Sequence, residues 1–328
     1  MADEQEHTFD VNGPGMVGNL FGLPFTPESS RLVIIPVPWE TTVTYHSGTA
    51  AGPQNILQAS RQVDFFMREI KDAWKLGVSM LPIPVELKEE SSKLKSLIHQ
   101  HREHQESPEK VIPQKINEAG ESLNIYVKNT AQHYLNQGKM VAVLGGDHSS
   151  PLGLIRALSE KHDRFGILQV DAHADLRKSY EGFTYSHASI MYNALKISSV
   201  SRLVQIGIRD WCEEEQQMIN RGMGRVKTFF DSDIHSGNKS WEERCKEIIK
   251  ELPDKVYISF DIDGLDPKLC PNTGTPVPGG LDFHQAVTLI RILATSGKTI
   301  IGFDLCEVAC AADSDWDANV GARILWNL

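Results

Sequence analysis

The stretch MVAVLGGDHSSPLGLIRALSEKHDRFGILQVDAHADL, residues 140–176, decides the fold class of this 328-residue chain. Residues 140–146 and 165–172 are short apolar runs rich in β-branched residues, and the amphipathic segment 151–161 separates them. Buried strands of a parallel sheet have this near-continuous apolar character, and a helix makes the crossover between them. The stretch therefore predicts a βαβ unit of an α/β fold.

The same alternation continues over most of the chain. The other apolar runs are 32–39, 202–209, 226–231, 255–263 and 299–307, and the other amphipathic segments are 52–66, 213–221, 241–252 and 282–297. We predict a three-layer α/β/α fold with a mostly parallel sheet, forming a single domain over residues 31–328. Residues 1–30 are predicted to form a loosely attached N-terminal arm.

One segment departs from this alternation. Residues 86–115 are dense in Lys, Glu, Gln and Ser and poor in apolar residues, so we interpret them as a solvated helix and loop inserted near the sheet edge. His99, His101 and His104 lie in this segment. Histidines in such a polar stretch are more often solvated than metal-bound, so we predict no metal site there.

Composition narrows the range of partners. The chain has 33 basic and 43 acidic residues, a net charge of −10, which argues against binding to nucleic acid or to anionic membrane surfaces. No apolar run approaches the roughly 18 residues of a membrane span. The five cysteines are too few and scattered for a disulfide framework, and the acidic start does not resemble a secretory signal. We therefore expect a cytoplasmic protein.

Three predicted strands end in an unusual density of metal-type ligands. The segments are LGGDHS (144–149), VDAHAD (170–175) and SFDIDGLDP (259–267). Open α/β folds place their ligands at the carboxyl ends of the strands, where these segments should meet. Side chains alternate along a strand, so residues two positions apart point to the same side. The predicted ligands are His148, Asp171, His173, Asp175, Asp261 and Asp263.

This ligand set predicts two divalent cations per chain. Four ionised carboxylates cannot share a buried site without compensating charge, and a single cation would leave excess negative charge. Oxygen-rich donors with two nitrogens suit Mn²⁺ best, while Zn²⁺, Co²⁺ and Ni²⁺ remain possible. The alternative for a single Asp or His at a strand end is a turn former or helix cap, and this alternative applies to Asp147 and Asp266.

The same motifs, followed by GTPVPGG (274–280), resemble the ureohydrolase family, which includes arginase, agmatinase and formimidoylglutamase, and agmatinase-like members most closely. The resemblance runs from about Leu32 to the C-terminus. It implies that His148, Asp171, Asp175 and Asp261 hold one Mn²⁺, and that Asp171, His173, Asp261 and Asp263 hold the other. Asp171 and Asp261 are then the bridging ligands. It also implies a homo-oligomer, a trimer or a hexamer.

The resemblance implies a hydrolytic mechanism. Metal pairs of this kind supply hydroxide at neutral pH for attack on the trigonal carbon of a guanidinium or amidine. Asp175 is expected to hold the hydroxide and pass its proton to the leaving amine. By resemblance, His187 is the proton shuttle and Glu307 binds the cationic end of the substrate, consistent with the chemistry of both side chains. The alternatives are a helix-start histidine and a surface carboxylate.

The substrate is less firmly indicated. The arginase pattern for an α-amino acid head group is not visible after DAHAD, and Ala188-Ser189 replaces the Gly-Thr that usually follows the shuttle histidine in agmatinases. Arg177 and Lys178 can pair with a substrate carboxylate, which would favour formiminoglutamate or a guanidino acid. They can equally be solvated loop cations.

Loop aromatics suggest a small substrate. They are Trp39, Tyr45, Tyr180, Phe183, Tyr185, Trp211 and Trp316. Aromatic faces attract planar cations, so these side chains can form a cage for a short guanidino compound, or they can cover a core or a subunit contact. The predicted substrate contacts are Thr42, Tyr185, Trp211, Trp316 and Arg177.

The sequence thus predicts a binuclear-metal hydrolase that cleaves the C–N bond of agmatine-like compounds or of guanidine and releases urea with an amine or ammonia. The alternative within the family is a formimidoylglutamase, which produces glutamate and formamide. Alternatives from other classes are a single-zinc deacetylase on a related fold and a non-catalytic binding subunit. Mn²⁺ is the expected metal, with Ni²⁺ second.

Overall fold

The computed structural model describes residues 9–104, 111–222 and 224–328. Strands in this part of the chain form one parallel sheet of eight, in the order β2-β1-β3-β8-β7-β4-β5-β6. In chain order the strands β1 to β8 are Leu32–Val37, Val78–Met80, Met140–Gly145, Phe165–Val170, Val200–Ile208, Val226–Phe230, Lys255–Asp261 and Thr299–Cys306.

Helices connect the strands. In chain order the α-helices α1 to α10 are Gly52–Ser60, Val85–His104, Val111–Leu135, Leu152–Ser159, Ile190–Leu195, Glu213–Arg221, Asp231–Ile234, Trp241–Lys250, Phe283–Ala294 and Trp316–Asn327. Within the described ranges, no helix combines the length and the apolar character needed to cross a membrane.

Each face of the sheet contributes to a separate hydrophobic core. Along β3, Ala142 and Leu144 belong to one core, whereas Val141 and Val143 belong to the other. Side chains of a strand alternate between faces, so this division means that both faces are covered. The structure confirms the predicted three-layer α/β/α fold with a parallel sheet.

The N-terminal arm is attached more closely than the sequence pattern indicates. Leu20, Phe21, Leu23 and Phe25 are buried in the first core, and the ring of Phe21 packs 5.0 Å from that of Trp326. The apolar run at residues 20–25 is too short to show a periodicity, so only the fold reveals its packing partner. The prediction of a loose arm is corrected for these residues.

The polar segment 86–115 also contributes to the core. It forms most of α2 and the start of α3, and Leu94 and Ile98 on α2 are buried in the second core. Their spacing of four residues gives α2 one apolar face, so the expected solvated helix is corrected to a helix packed along that face, while residues 105–110 lie outside the described residues. His99 is exposed on α2, as expected. The side chains of His101 and His104 lie outside the described residues.

The strand order brings the ligand-bearing segments together. β1, β3, β8, β7 and β4 are consecutive in the sheet, so the segments that follow them lie side by side at its carboxyl edge. These segments carry Thr42, His148, Glu307, Asp263 and Asp171 in that order across the edge.

Candidate metal centre

The first group of potential metal ligands surrounds His148. Its Nδ1 lies 3.1 Å from Asp171 Oδ2, 3.0 Å from Asp175 Oδ2 and 3.2 Å from Asp261 Oδ2. This nitrogen is buried and has no hydrogen-bond partner of acceptable geometry. A single N–H cannot donate to three oxygens at once, whereas a cation can bind all four atoms. The donor set therefore fits a divalent metal ion.

The other nitrogen of His148 fixes the orientation of the imidazole. Nε2 lies 2.9 Å from Ser259 Oγ, and the Tyr257 hydroxyl donates to Asp304 Oδ2 over 2.7 Å just behind it. When Nε2 carries the proton, the lone pair of Nδ1 faces the carboxylates, which is the state a metal ligand needs. The sequence motifs did not predict this support. The available signal was Asp304, an acidic residue inside the apolar run 299–307.

The second group shares Asp171 with the first. His173 Nδ1 lies 3.1 Å from Asp263 Oδ2 and 3.6 Å from Asp171 Oδ1. Potential ligand atoms of His148, Asp171 and Asp175 lie within 4.8 Å of one another, and so do those of Asp171, His173 and Asp263. Asp171 is the residue that the two sets share. Asp261, the other expected bridge, contacts His148 through Oδ2 and accepts a hydrogen bond from the Asp263 N–H through Oδ1.

The pKa shifts of the ligand residues reflect the close packing of negative charge in the two groups. Burial and the neighbouring Asp171 raise the pKa of Asp175 to about 7. Burial, then Asp263 and Asp171, raise the pKa of Asp261 well above its ordinary range. For His148 and His173 burial lowers the pKa, but the surrounding carboxylates outweigh it and raise both values. The two groups therefore favour compensating positive charge, which protons or divalent cations can supply.

Glu307 presents an unpaired buried oxygen beside these groups. Its Oε1 accepts a hydrogen bond from the His148 N–H at 2.8 Å, while the buried Oε2 has no partner. Burial, followed by Asp261 and Asp147, raises the pKa of Glu307. A Cβ at Gly274 would lie 2.9 Å from Oε2, so the glycine leaves open the space that this oxygen faces. A buried carboxylate of this kind requires a cationic partner.

His187 is held by Thr42 at the other side of the site. Thr42 Oγ1 lies 2.9 Å from His187 Nδ1 and accepts a hydrogen bond from the His187 N–H. Burial, then the charges on His173 and His148, lower the pKa of His187 to about 3. The imidazole is therefore neutral at pH 7.

The predicted metal ligand Asp175 and the predicted substrate-binding residue Glu307 both have a left-handed backbone conformation. Asp175 has φ 54° and Glu307 has φ 65°, a region that side chains other than glycine rarely adopt. Strained residues of this kind cluster at functional sites, where the surrounding structure holds them in place. Both positions were predicted from the sequence as catalytic.

Comparisons with known proteins agree with this geometry. The model of the arginase family matches residues 30–328 of the chain. The chain belongs to the arginase family. The resemblance to ureohydrolases seen in the motifs is thereby confirmed, and it covers all three ligand-bearing segments.

Several relatives are agmatinase-type ureohydrolases. The N(1)-aminopropylagmatine ureohydrolase of Thermus thermophilus is 34% identical over 295 residues, which cover 88% of this chain and 87% of the relative. The guanidinobutyrase of Pseudomonas aeruginosa is 33% identical over 204 residues, covering 59% and 61%. The crystal structure of agmatine ureohydrolase of Thermoplasma volcanium has a TM-score of 0.74 at 25% identity, covering 99% of this chain and 95% of that one.

The predicted aromatic cage is not assembled as proposed. Trp39 and Phe183 are buried in the second core and cannot line a binding site, so the prediction is wrong for both. Trp211 donates from Nε1 to Gln216, and Trp316 donates to the Lys268 carbonyl. The indole N–H groups of these two residues thus bind different segments of the chain.

The remaining aromatic residues are divided between the site and its surroundings. The Tyr180 ring lies 6.3 Å from that of His187, and Tyr45 stacks on His46 at 4.0 Å. The Tyr185 ring lies 5.6 Å from the Arg156 guanidinium and its Cβ packs against Gly120, contacts that favour a structural role. Sequence position after a strand does not fix the direction of a side chain.

The predicted substrate contact Arg177 already has partners. Its guanidinium lies 5.1 Å from the centroid of the Tyr180 ring, and its Nε lies 3.9 Å from Glu215 Oε2. The latter carboxylate also accepts from the Cys212 N–H at the start of α6. These contacts favour a structural role for Arg177 over binding of a substrate carboxylate.

Proposed function

We propose that this chain is a binuclear-metal hydrolase that converts a small guanidino compound to urea and an amine. The observation that carries the proposal is the unpaired, buried Oε2 of Glu307 beside two ligand groups that share Asp171. A planar guanidinium satisfies such a carboxylate through charge-assisted hydrogen bonds. A single-zinc centre would leave one ligand group without a cation, which argues against a deacetylase.

The residues suggest a division of labour. His148, Asp171, Asp175 and Asp261 would hold one metal ion, and Asp171, His173, Asp261 and Asp263 the other. When bound, such a pair supplies a hydroxide nucleophile at neutral pH. Glu307 fixes the guanidinium so that its carbon faces this edge of the sheet.

Proton transfer is assigned to Asp175 and His187. Asp175 accepts the proton of the attacking group and delivers it to the departing amine. His187, which its low pKa keeps neutral at pH 7, is assigned the transient exchange of a proton between the amine and the solvent side. Thr42 holds Nδ1 and leaves Nε2 for this transfer.

We infer an amine-tailed or unsubstituted guanidino substrate, agmatine-like or guanidine itself. Support comes from the relatives' names and from Arg177, which already contacts the Tyr180 ring and Glu215. Mn²⁺ is the proposed metal because the donors are mostly carboxylate oxygens, with Ni²⁺ as the alternative. We further propose a cytoplasmic homo-oligomer, a trimer or hexamer, as the family resemblance implies.

Urea and formamide assays test the function. The chain is loaded separately with Mn²⁺ and Ni²⁺ and given agmatine, guanidine, 4-guanidinobutyrate or formiminoglutamate. We expect urea from agmatine or guanidine, with a kcat/KM at least about tenfold above that for either carboxylate-bearing compound, about 1.4 kcal/mol of discrimination. Formamide from formiminoglutamate as the best reaction would contradict the substrate assignment. Turnover of none of the four with either metal would contradict the enzyme itself.

A further inference from the structure

Helices α2 and α3 carry none of the residues assigned to the reaction. They contact the two loops that carry Thr42 and His187. The loop after β1, residues 38–48, carries Thr42. The loop of residues 176–187, which follows the DAHAD segment, carries His187. The two loops are far apart in sequence, so their relative position depends on what holds them.

One face of α2 holds the first loop. Ser91 Oγ accepts a hydrogen bond of 2.7 Å from the Glu40 N–H, and Lys95 Nζ lies 2.5 Å from Glu40 Oε1. Arg102 Nη1 donates to the Val43 carbonyl over 3.0 Å. Residues 91, 95 and 102 share one face of α2 and form a polar stripe along it. This stripe binds the loop at Glu40 and at Val43, on either side of Thr42.

The same arginine also binds the second loop. Arg102 Nε and Nη2 donate to Glu181 Oε2 over 2.9 and 2.5 Å. Glu181 has φ 52° and the next residue, Gly182, has φ 83°, so the ion pair holds a turn in which a non-glycine residue is strained. A guanidinium can bind the carbonyl and the carboxylate together because its donors point in several fixed directions.

Helix α3 supports the second loop from the other side. Asn117 donates from Nδ2 to the Gly182 carbonyl and accepts at Oδ1 from the Thr184 N–H, over 3.1 and 2.7 Å. A Cβ at Gly120 would lie 2.9 Å from the Cβ of Tyr185, so only glycine permits this close approach. Helix α3 therefore holds residues 182–185 of this loop, and Arg102 holds Glu181, the residue before them.

The positive charge of Arg102 contributes to the low pKa of His187. Burial is the main cause of the low pKa of His187, followed by His173 and His148, and Arg102 is the next contributor. Arg102 is therefore close enough to influence the imidazole, although its hydrogen bonds go to the two loops.

We propose that Arg102 is a positioning residue that sets the Thr42–His187 pair by joining the Val43 carbonyl to the Glu181 carboxylate. The proposal rests on the function proposed above, in which His187 transfers a proton. Proton transfer depends steeply on placement, and an error of about 1 Å can cost roughly 100-fold in rate. Arg102 is partly exposed, with 32% of its side chain accessible, so its loss should affect geometry more than stability.

The test is a double-mutant cycle between Arg102→Lys and His187→Ala. Lysine keeps the charge but cannot bind both partners at once, so we expect kcat to fall about 10- to 100-fold with KM and metal content unchanged. In the His187→Ala background the same change should cost less than about twofold, because there is no shuttle left to position. Equal losses in both backgrounds, or no loss in either, would overturn the proposal.

A matched control separates this role from general stabilisation. Arg202 forms a similar partly exposed pair with Glu251 elsewhere in the fold, with 23% and 35% of the side chains accessible. Arg202→Lys is expected to leave kcat within about twofold of the parent. A fall in kcat as large as that of Arg102→Lys would show that any such arginine matters, and would overturn the assignment.

Hydrogen exchange tests, without any substrate, whether Arg102 clamps the two loops together through Val43 and Glu181. In metal-loaded protein, Arg102→Lys should speed amide exchange in the peptides that cover residues 40–48 and 180–189, and Arg202→Lys should not. Unchanged exchange in either loop would overturn the clamp even if urea release is normal. Faster exchange in a protein that hydrolyses no guanidino compound would support the clamp and contradict only the function.

Discussion

Asp171→Asn is expected to reduce urea release by at least about 10³-fold and to lower bound metal to less than one ion per chain. Asp171 is the residue that both ligand groups share, and its two oxygens lie 3.1 Å from His148 Nδ1 and 3.6 Å from His173 Nδ1. Asparagine keeps the shape but removes the negative charge that both cations need. Elemental analysis after dialysis, combined with a urea assay, measures both effects.

Asp266→Asn is the control for that substitution. Asp266 also follows β7, but it accepts hydrogen bonds from Lys268 and lies outside both ligand groups. We expect it to retain two metal ions and activity within about twofold of the parent. An Asp171→Asn protein that kept full metal content and normal activity would contradict the shared-ligand assignment.

Glu307→Gln is expected to lower kcat/KM by about 10²- to 10³-fold while metal content stays the same. Removing one partner of a buried charge pair typically costs about 2–5 kcal/mol, or roughly 30- to 5,000-fold, and the expected loss lies within this range. Because burial and the nearby aspartates raise the pKa of Glu307, its charged form destabilises the fold at pH 7. The neutral glutamine should therefore unfold at the same temperature or a higher one.

The combination of lower activity and undiminished stability distinguishes a substrate-binding role from a structural one. Thermal unfolding, metal analysis and steady-state kinetics are measured on the same preparation. A variant that kept its kcat/KM would remove Glu307 from the substrate site. A variant that lost metal would instead place Glu307 among the groups that support His148, through their hydrogen bond.

The sequence predicts the fold and the ligand groups well because both depend on local patterns. Apolar runs of strand length mark the buried strands, and parallel strands place their carboxyl ends at one edge. Asp171, His173 and Asp263 could therefore be grouped before any coordinates were known. The same logic misjudged the arm at residues 20–25, because a short apolar run does not reveal what it packs against.

Other features depend on contacts between distant segments, which no local pattern contains. Arg102 and Glu181 are 79 residues apart, and the stripe on α2 is polar, so it resembles a solvated helix face. Trp39 follows β1 but turns into the core, where Gly146 passes close to its backbone. Side-chain direction in loops is set by tertiary packing, which is why Trp39 and Phe183 were wrongly included in the aromatic cage.

The central claim is that six side chains from three segments bind a pair of metal ions. Anomalous diffraction from crystals of the Mn²⁺-loaded protein tests it most directly. We predict two peaks per chain about 3.5–4 Å apart, one beside His148 and Asp175, the other beside His173 and Asp263, with Asp171 between them. A single peak, or none at this edge of the sheet, would contradict the claim.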